Sequence, residues 1–274
     1  MSNEKNIPLT EAEAETIKKL VGVENLFVVL SKRTALPFVE CDPETFDDQI
    51  LVFDTPEYVQ NTLNRLGEEK NPIDVGLITQ KDRLNFFATL CTMGVNCVVL
   101  NSHSEKEERI QLERMVKTPK GMTPDGQPWI ENPALHLTAI YFMQAVARNV
   151  NKEETQELTD LREEIVAHYS QGNFIVLFNE KGQLPILRFP NGEAYQPIFT
   201  DLFEASKFKI EGQPGRGAIF AAKIPGILSP EAKGVVVNPN GVGLQLPILR
   251  QVPPMPQGAP APQEAPAQPT EENN

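Results

Sequence analysis

A set of short apolar segments occurs twice along the chain in the same order, and this recurrence constrains the fold more than any other sequence feature. The first set consists of FVVL, LPF, LVFD and VVLN, at residues 27–30, 36–38, 51–54 and 98–101. The second set consists of FIVL, LPI, PIFTD and VVVN, at residues 174–177, 184–186, 197–201 and 235–238. A single match is ordinary among β segments, but the ordered set predicts one strand arrangement built twice.

The recurrence predicts an α+β protein of two tandem mixed-sheet domains, with helices packed on the sheets. The predicted organisation is a first domain over 1–122, a helical linker region over 123–171 and a second domain over 172–251. Residues 252–274 are rich in Pro, Ala and Gln, which predicts a disordered C-terminal tail. Such a tail acts either as a docking segment or, more commonly, as a solvating extension.

Local start and stop signals predict the helices. Thr10 is a candidate N-cap for a helix over 9–20, and Thr55 followed by Pro56 begins another. Further helices are predicted from near residue 79 to residue 94, over 132–147 and over 151–169. Ser104 and Glu107 have the spacing of a capping box, which predicts a helix as far as residue 117. Residues 118–131 are rich in Pro and Gly and are predicted to form a loop.

Charge and cysteine content restrict the class of partner and the compartment. The net charge is −12 and the isoelectric point is about 4.9, so nucleic acid is an unfavourable partner. Three cysteines without regular spacing are typical of a reducing compartment. The polar N-terminus has no apolar signal core, and no window is apolar enough to span a membrane. These features predict a cytoplasmic protein with no membrane partner.

The second set of segments resembles the SseB family, the bacterial enhanced serine sensitivity proteins. The resemblance consists of the opening strand, the Leu-Pro segment, the Phe-Thr-Asp step before a helix, and the closing GVVVNP…G, at residues 173–177, 184–186, 199–201 and 234–241. The first set resembles a diverged copy, which keeps Phe53, Asp54 and Asn101 but lacks proline after the asparagine. The resemblance implies a mixed sheet with helices packed on it, and it assigns no activity to any residue.

No group of residues has the spacing of a metal or cofactor site, so the sequence predicts neither. The histidines (His103, His136 and His168) match no ligand pattern, and His136, in an apolar helix, is expected to be a hydrogen-bonded core residue. Cys91 and Cys97 lack the spacing of a zinc site, and Cys41 is surrounded by acids. The stretches over 212–217 and 238–243 match neither a phosphate loop nor a dinucleotide fingerprint.

Four other positions allow a functional and a structural interpretation. Arg216, between two glycines, either holds an anion or belongs to an ordinary loop. Trp129 either faces a partner or packs on its own domain. Asp54, with Asp47 and Asp48, suggests a divalent cation, but it stands at a helix start, where capping explains it. Asn240-Gly241 is better interpreted as a turn between two strands.

The leading hypothesis is a non-enzymatic interaction or scaffold protein that binds a protein or peptide, with strand addition as an available mode. The expected binding residues lie in the last turn and the neighbouring step (Phe199, Thr200, Asp201, Asn238, Pro239, Asn240 and Gly241). The alternative is a regulatory protein that senses a small molecule in a pocket between the two domains. An enzyme ranks third, because no nucleophile–base pair stands out.

Overall fold

The computed structural model describes residues 8–117, 121, 123, 126–212 and 214–248, and the protein is α+β. The predicted tail over 252–274 lies outside the described residues. The elements of the first half, in chain order, are α1 (Glu11–Gly22), β1 (Asn25–Ser31), β2 (Val39–Cys41), β3 (Asp48–Phe53), α2 (Pro56–Glu68), β4 (Ile73–Thr79), α3 (Arg83–Thr92), β5 (Cys97–Leu100), β6 (Glu108–Gln111) and a 3₁₀ helix (Leu112–Arg114).

Two long helices connect the halves, and a second set of strands follows. In chain order these elements are α4 (Pro133–Arg148), α5 (Gln156–Gln171), β7 (Asn173–Phe178), β8 (Leu187–Arg188), β9 (Ala194–Ile198), α6 (Leu202–Ser206), β10 (Gly215–Phe220), a 3₁₀ helix (Ala221–Gly226), β11 (Gly234–Val237) and β12 (Leu244–Pro247). Within the described chain, no helix combines the length and apolar character needed to cross a bilayer.

The two halves have the same strand topology. The first sheet has the order β4-β1-β3-β5-β6, with β2 also paired to β3. The β3–β5 pair is parallel and the other pairs are antiparallel. In the second half β10 pairs with β7, and a four-stranded sheet has the order β8-β9-β11-β12 with β9–β11 parallel. Reciprocal backbone hydrogen bonds of 2.9 and 3.0 Å between Ile175 and Phe199 join β7 to β9. The repeated segments therefore build the same strand order twice.

The register differs by one residue from the alignment of the apolar segments. Phe27 pairs with Phe53 in β1–β3, whereas Ile175, and not Phe174, pairs with Phe199 in β7–β9. Because side chains alternate between the two faces of a sheet, a shift of one residue reverses which face each one occupies. The sequence alignment of Phe27 with Phe174 is therefore wrong, and Leu26 is the structural counterpart of Phe174.

The helix predicted from Ser104 to Lys117 is wrong. Residues 102–106 form turns, β6 follows, and only Leu112–Arg114 is helical. The Glu107 side chain accepts a hydrogen bond of 2.8 Å from the His103 N–H, at the start of a turn in which His103 has φ of 61°. The apparent capping box thus closes a turn, and Ile110 faces the core from β6, which pairs with β5.

Both edge strands β4 and β10 were absent from the sequence interpretation. The helix predicted from residue 79 begins at Arg83, after β4, and the glycine-rich stretch over 212–217 leads into β10. Each strand contains glycine and is only partly buried, so neither has a continuous apolar signal. Residues 184–186, predicted as a strand, precede the short β8. Thr10 forms the capping box of α1, whereas Thr55 occupies the N-cap of α2 without a side-chain hydrogen bond.

Helix α4 lies in a core shared by the two halves. One continuous cluster of buried side chains includes residues of both sheets, of α4 and of α5: Leu26, Val28, Ile50, Val98, Leu135, Ala139, Ile140, Ile165, Phe174, Val176, Ile198 and Val235. The opposite face of the first sheet is covered by α2, and that of the second by α6. The segment predicted as a helical linker is therefore a central part of the core.

Polar side chains of α4 attach it to both halves. Gln144 accepts a hydrogen bond of 3.0 Å from the N–H of Val39 in β2 and donates one of 2.8 Å to its carbonyl. Near the other end of the helix, Asn132 donates to the carbonyls of Asn173 and Thr200 at 2.8 and 2.9 Å. Because these backbone groups would otherwise lack partners, α4 fixes how the two sheets are placed relative to each other.

Candidate functional site

The residues predicted to bind a partner are divided between the core and the surface. Phe199, Thr200, Asp201 and Asn238 each have no exposed surface. Pro239 and Gly241 are partly buried and Asn240 is exposed, in the turn between β11 and β12. Direct contact with a partner is therefore available only to the turn residues. Because Asp201 is fully buried, truncation of its side chain is expected to disturb the fold.

Asn238 closes the parallel pair of strands from inside. Its φ is 48°, a left-handed conformation that asparagine tolerates better than most residues. Its Oδ1 accepts a hydrogen bond of 2.9 Å from the Thr200 N–H, and its Nδ2 donates one of 2.8 Å to Thr200 Oγ1. Asn101 occupies the same place in the first half, with φ of 54° and Oδ1 accepting from the Asp54 N–H at 3.1 Å. The asparagine motif is thus structural in both copies.

Asp201 and His136 form a buried polar contact between α6 and α4. Asp201 accepts hydrogen bonds from the Glu204 N–H at 3.0 Å and from the Thr200 hydroxyl at 2.7 Å. His136 Nδ1 lies 3.6 Å from Asp201 Oδ2 and 3.3 Å from Thr200 Oγ1. Burial raises the pKa of Asp201, but His136 and the two hydrogen bonds lower it by more than burial raises it. The pKa of Asp201 is therefore below its usual value. With no exposed surface, this group holds α4 in place and cannot reach a substrate.

The other residues considered from the sequence do not converge on one site. Trp129 packs edge to face on Phe203, with ring centroids 6.5 Å apart, so it contacts its own half. Arg216 lies within β10, and Asp54 precedes the N-cap residue Thr55 and does not cap the helix itself. In the described ranges, no cluster of three or more His, Cys, Asp or Glu side chains could hold a metal.

An open apolar groove, which the sequence did not predict, lies between edge strand β4 and helix α3. Its volume is about 320 Å³. The floor is formed by Val28 and Leu30 of β1, and one wall by Phe86 and Thr89 of α3. The remaining lining residues are Ala35, Leu36, Pro37, Gly76, Leu77, Ile78, Asp82, Asn85, Met93 and Lys207. The sequence interpretation missed it because it did not recognise β4.

Glycine at position 76 keeps the groove open on the sheet side. A Cβ atom there would lie 2.7 Å from Leu30 Cδ1 and 3.3 Å from Val28 Cγ1. Since β4 is the edge of the sheet, the absent side chain leaves the partly buried Leu30 accessible from the side, whereas Val28 beneath it is only 2% exposed. Leu77, the next residue of β4, is 55% exposed. Leu77 pairs with Phe27 and faces the other side of the sheet, so the apolar surface beside Gly76 is formed by Leu30 above Val28.

In the second half, the ring of Phe178 lies beside the position that corresponds to Gly76. Gly217 of β10 matches Gly76, because both glycines pair with the equivalent valines Val176 and Val28. The Phe178 ring, at the position of Leu30, lies where a side chain on Gly215 would be, and it contacts the Gly217 position at 3.6 Å. The two halves therefore differ in the side chain beside this strip: Leu30 packs against Gly76 in the first half, and the Phe178 ring packs against Gly215 in the second.

The groove also touches the second half of the chain. Lys207, which ends α6, lines it, and the Lys207 ammonium is ion-paired with Glu204. Glu204 is buried under Gly241, where a Cβ atom would lie 2.4 Å from Glu204 Oε2. Asn240 donates a hydrogen bond of 2.7 Å to the Lys207 carbonyl. The turn that the sequence singled out thus supports the rim of the groove.

A second, polar cavity of about 670 Å³ lies beside the loops that follow β2 and β5. Two of its arginines are ion-paired: Arg65 with Glu40 at 2.7 Å and Arg109 with Asp42 at 2.5 Å. Burial and the nearby acids Asp48, Asp42 and Asp47 raise the pKa of the Cys41 thiol, which disfavours the nucleophilic thiolate. The side chains of this cavity form an ion-pair network, in which Arg65 Nε is buried without a hydrogen-bond partner.

The fold and its groove define an α+β protein of two topologically equivalent halves, one of which carries an open apolar site at a sheet edge. No family model and no curated protein matches the sequence. Two solved structures are similar: Tic22 from Plasmodium falciparum, with 13% identity over 80% of this chain and 90% of that chain (TM-score 0.21), and Anabaena Tic22, a protein transport component, with 10% identity over 78% and 83% (TM-score 0.20). At these TM-scores neither likeness bears on the function of this chain.

Proposed function

We propose that this chain is a non-enzymatic interaction protein that captures a partner protein in the groove between β4 and α3. The observation that carries the proposal is an open apolar groove, lined by Leu30 and Phe86 and floored by the buried Val28, beside the free edge of β4. A concave, mostly apolar site with a few polar groups at its rim is the usual form of a binding site on a folded protein.

The buried polar groups support binding rather than catalysis. The His136–Asp201 contact, the arrangement closest to an acid–base pair, has no access to solvent. The exposed thiol of Cys41 has a raised pKa, which opposes its activation. The proposed compartment is the cytoplasm, and the proposed family is SseB, both from the sequence features given above.

The test is quantitative capture from the native cell with three forms of the full chain: wild type, Asn85→Trp and Leu84→Trp. Asn85 lines the groove, whereas the neighbouring Leu84 is 70% exposed outside it. We expect that Asn85→Trp fills the groove and loses the captured protein, while Leu84→Trp retains it. Equal recovery of the same proteins by all three forms would remove the groove from consideration.

The contact of Lys207 with the groove favours the alternative, a sensor of a small molecule bound where the two halves meet. A thermal-shift screen of amino acids and nucleotides distinguishes this function. Stabilisation by a few degrees that Asn85→Trp abolishes would favour the sensor, because a ligand that binds only the folded state raises the melting temperature.

A further inference from the structure

Resting on the function proposed above, we propose that the groove takes an extended peptide segment of a partner. The segment adds as a new strand to β4, places an apolar side chain over Gly76, and carries basic side chains that face Asp74 and Asp82.

The backbone of β4 provides the pairing surface. Among the described residues, β4 is hydrogen-bonded to no strand but β1, with all seven residues from Ile73 to Thr79 in register. Along β4 the Val75 N–H already donates to Asp74 Oδ1 at 2.8 Å and the Thr79 carbonyl accepts from the Asp82 N–H at 3.1 Å. The remaining N–H and C=O groups of the outer edge are those that an extended chain can pair with. The other outer strands of this half are shorter: β6 has four residues and β2 has three. A small rigid molecule would leave most of this edge unused.

The side chains beside this edge select an apolar residue. A strand added to β4 would lie about 4.8 Å away, with directly opposite Cβ atoms about 5 Å apart. Gly76 has no Cβ and Leu30 packs directly against its backbone, so the incoming side chain can lean across the glycine onto Leu30. Phe86 and Thr89 close the far side of the same space. The arrangement resembles a side-chain pocket beside a strand-addition site.

The charges at the two ends of β4 select basic flanking residues. Asp74 and Asp82 are exposed, the first near the start of the strand and the second three residues beyond its end. Lys207, which lines the groove, is ion-paired with Glu204, so it does not cancel these carboxylates. The net charge of −12 also steers cationic segments toward the chain, and it opposes pairing with a second copy.

The experiment is selection of short random peptides, displayed on phage, against the full-length protein, with counter-selection on Gly76→Val. We expect enriched sequences in which apolar residues alternate and lysine or arginine flanks them. The peptide with the highest affinity is then synthesised in two forms, one with ordinary amides and one with every second backbone amide methylated. Methylation leaves the side chains unchanged and blocks strand pairing, so we expect affinity to fall at least about tenfold.

Matched variants locate the site. Gly76→Val fills the mouth of the groove and should lower peptide affinity at least about tenfold, whereas Gly217→Val, at the equivalent edge position of the second half, should leave it within about twofold. Asp74→Asn combined with Asp82→Asn should weaken binding most at low salt. If Gly76→Val does not fold, as judged by circular dichroism, Asn85→Trp replaces it.

The outcomes separate this inference from the proposed function. If no alternating peptide is enriched, if the methylated peptide binds as well as its parent, or if a second copy occupies the edge, the strand-addition mode is wrong. Should the apolar dye anilinonaphthalene sulfonate still bind wild type and not Asn85→Trp, the groove remains a binding site and only the peptide inference fails. If neither peptide binding nor dye binding depends on the groove, both the peptide inference and the proposed function are wrong.

Discussion

Asn101 and Asn238 illustrate how single residues hold each half together. Each follows a fully buried parallel strand and occupies the left-handed region, and its side chain bonds to the chain that leaves the neighbouring strand. A residue that both tolerates positive φ and offers an amide group meets these needs, and asparagine provides both. This explains why the sequence repeats an asparagine at the same point of each half.

Asn238→Ala is expected to lower the free energy of unfolding by about 3 kcal/mol, because two buried groups of Thr200 lose their partner and alanine is strained at positive φ. The measurement is equilibrium denaturation in urea. Asn240→Ala in the same turn is the control. It removes one hydrogen bond of an exposed residue, so a change of about 0.5 kcal/mol is expected. Similar losses in both variants would contradict the structural role of Asn238.

Asp201 is expected to make stability depend on acidity. Its pKa is lowered in the folded protein, so its contribution is complete above the pKa of the unfolded chain, about 3.9, and is lost as the pH falls through the lower folded value. Urea unfolding followed from pH 7 downward should show this loss in wild type. The slope should be smaller in Asp201→Asn, which cannot titrate. Parallel curves would mean that Asp201 is not the group responsible.

At the scale of elements, α4 acts through hydrogen bonds that its apolar pattern does not disclose. The sequence predicts a buried helix over 132–147, and the structure places α4 at Pro133–Arg148. The pattern does not indicate that Gln144 pairs with the backbone of β2, because burial of a polar side chain depends on where another element ends. Gln144 is 4% exposed and Val39 is 1% exposed, so both groups depend on the pairing.

Replacing Gln144 by leucine is expected to cost about 2–4 kcal/mol, since the N–H and the carbonyl of Val39 become buried without partners. The same substitution at Gln60, on the exposed face of α2, should change stability by about 0.5 kcal/mol or less. Denaturation curves of the two variants compare these values directly. A mild effect at Gln144 would mean that water replaces the amide.

The sequence predicted the elements with continuous apolar signals and missed those without them. The central strands β1, β3, β5, β7 and β11 and the long helices lie near their predicted positions. The apolar pattern does not indicate the edge strands β4 and β10, because half of each faces solvent. It predicts a helix in place of β6, because a turn closed by Glu107 has the spacing of a capping box. The groove depends on β4, so it was missed as well.

For the molecule as a whole, the shared core implies that the halves unfold together. Trp129, the one tryptophan, packs on Phe203 and so reports on the second half, while far-ultraviolet circular dichroism reports on both. We expect the two signals to give the same urea midpoint. The fragment 172–251 alone should not fold cooperatively, because Phe174, Val176 and Ile198 pack in a core that includes α4. Two separate transitions would show that each half is independent.

The aromatic ring at Phe178 and its aliphatic counterpart Leu30 show how a duplicated architecture can specialise without altering its backbone. Leu30 borders the groove beside β4, whereas the Phe178 ring fills the space beside Gly215, so the two halves differ in shape at this pair of sites. Exchanging the two residues, as Leu30→Phe with Phe178→Leu, is expected to fill the groove beside β4 and to open one beside β10. Dye titration of the double variant measures this change.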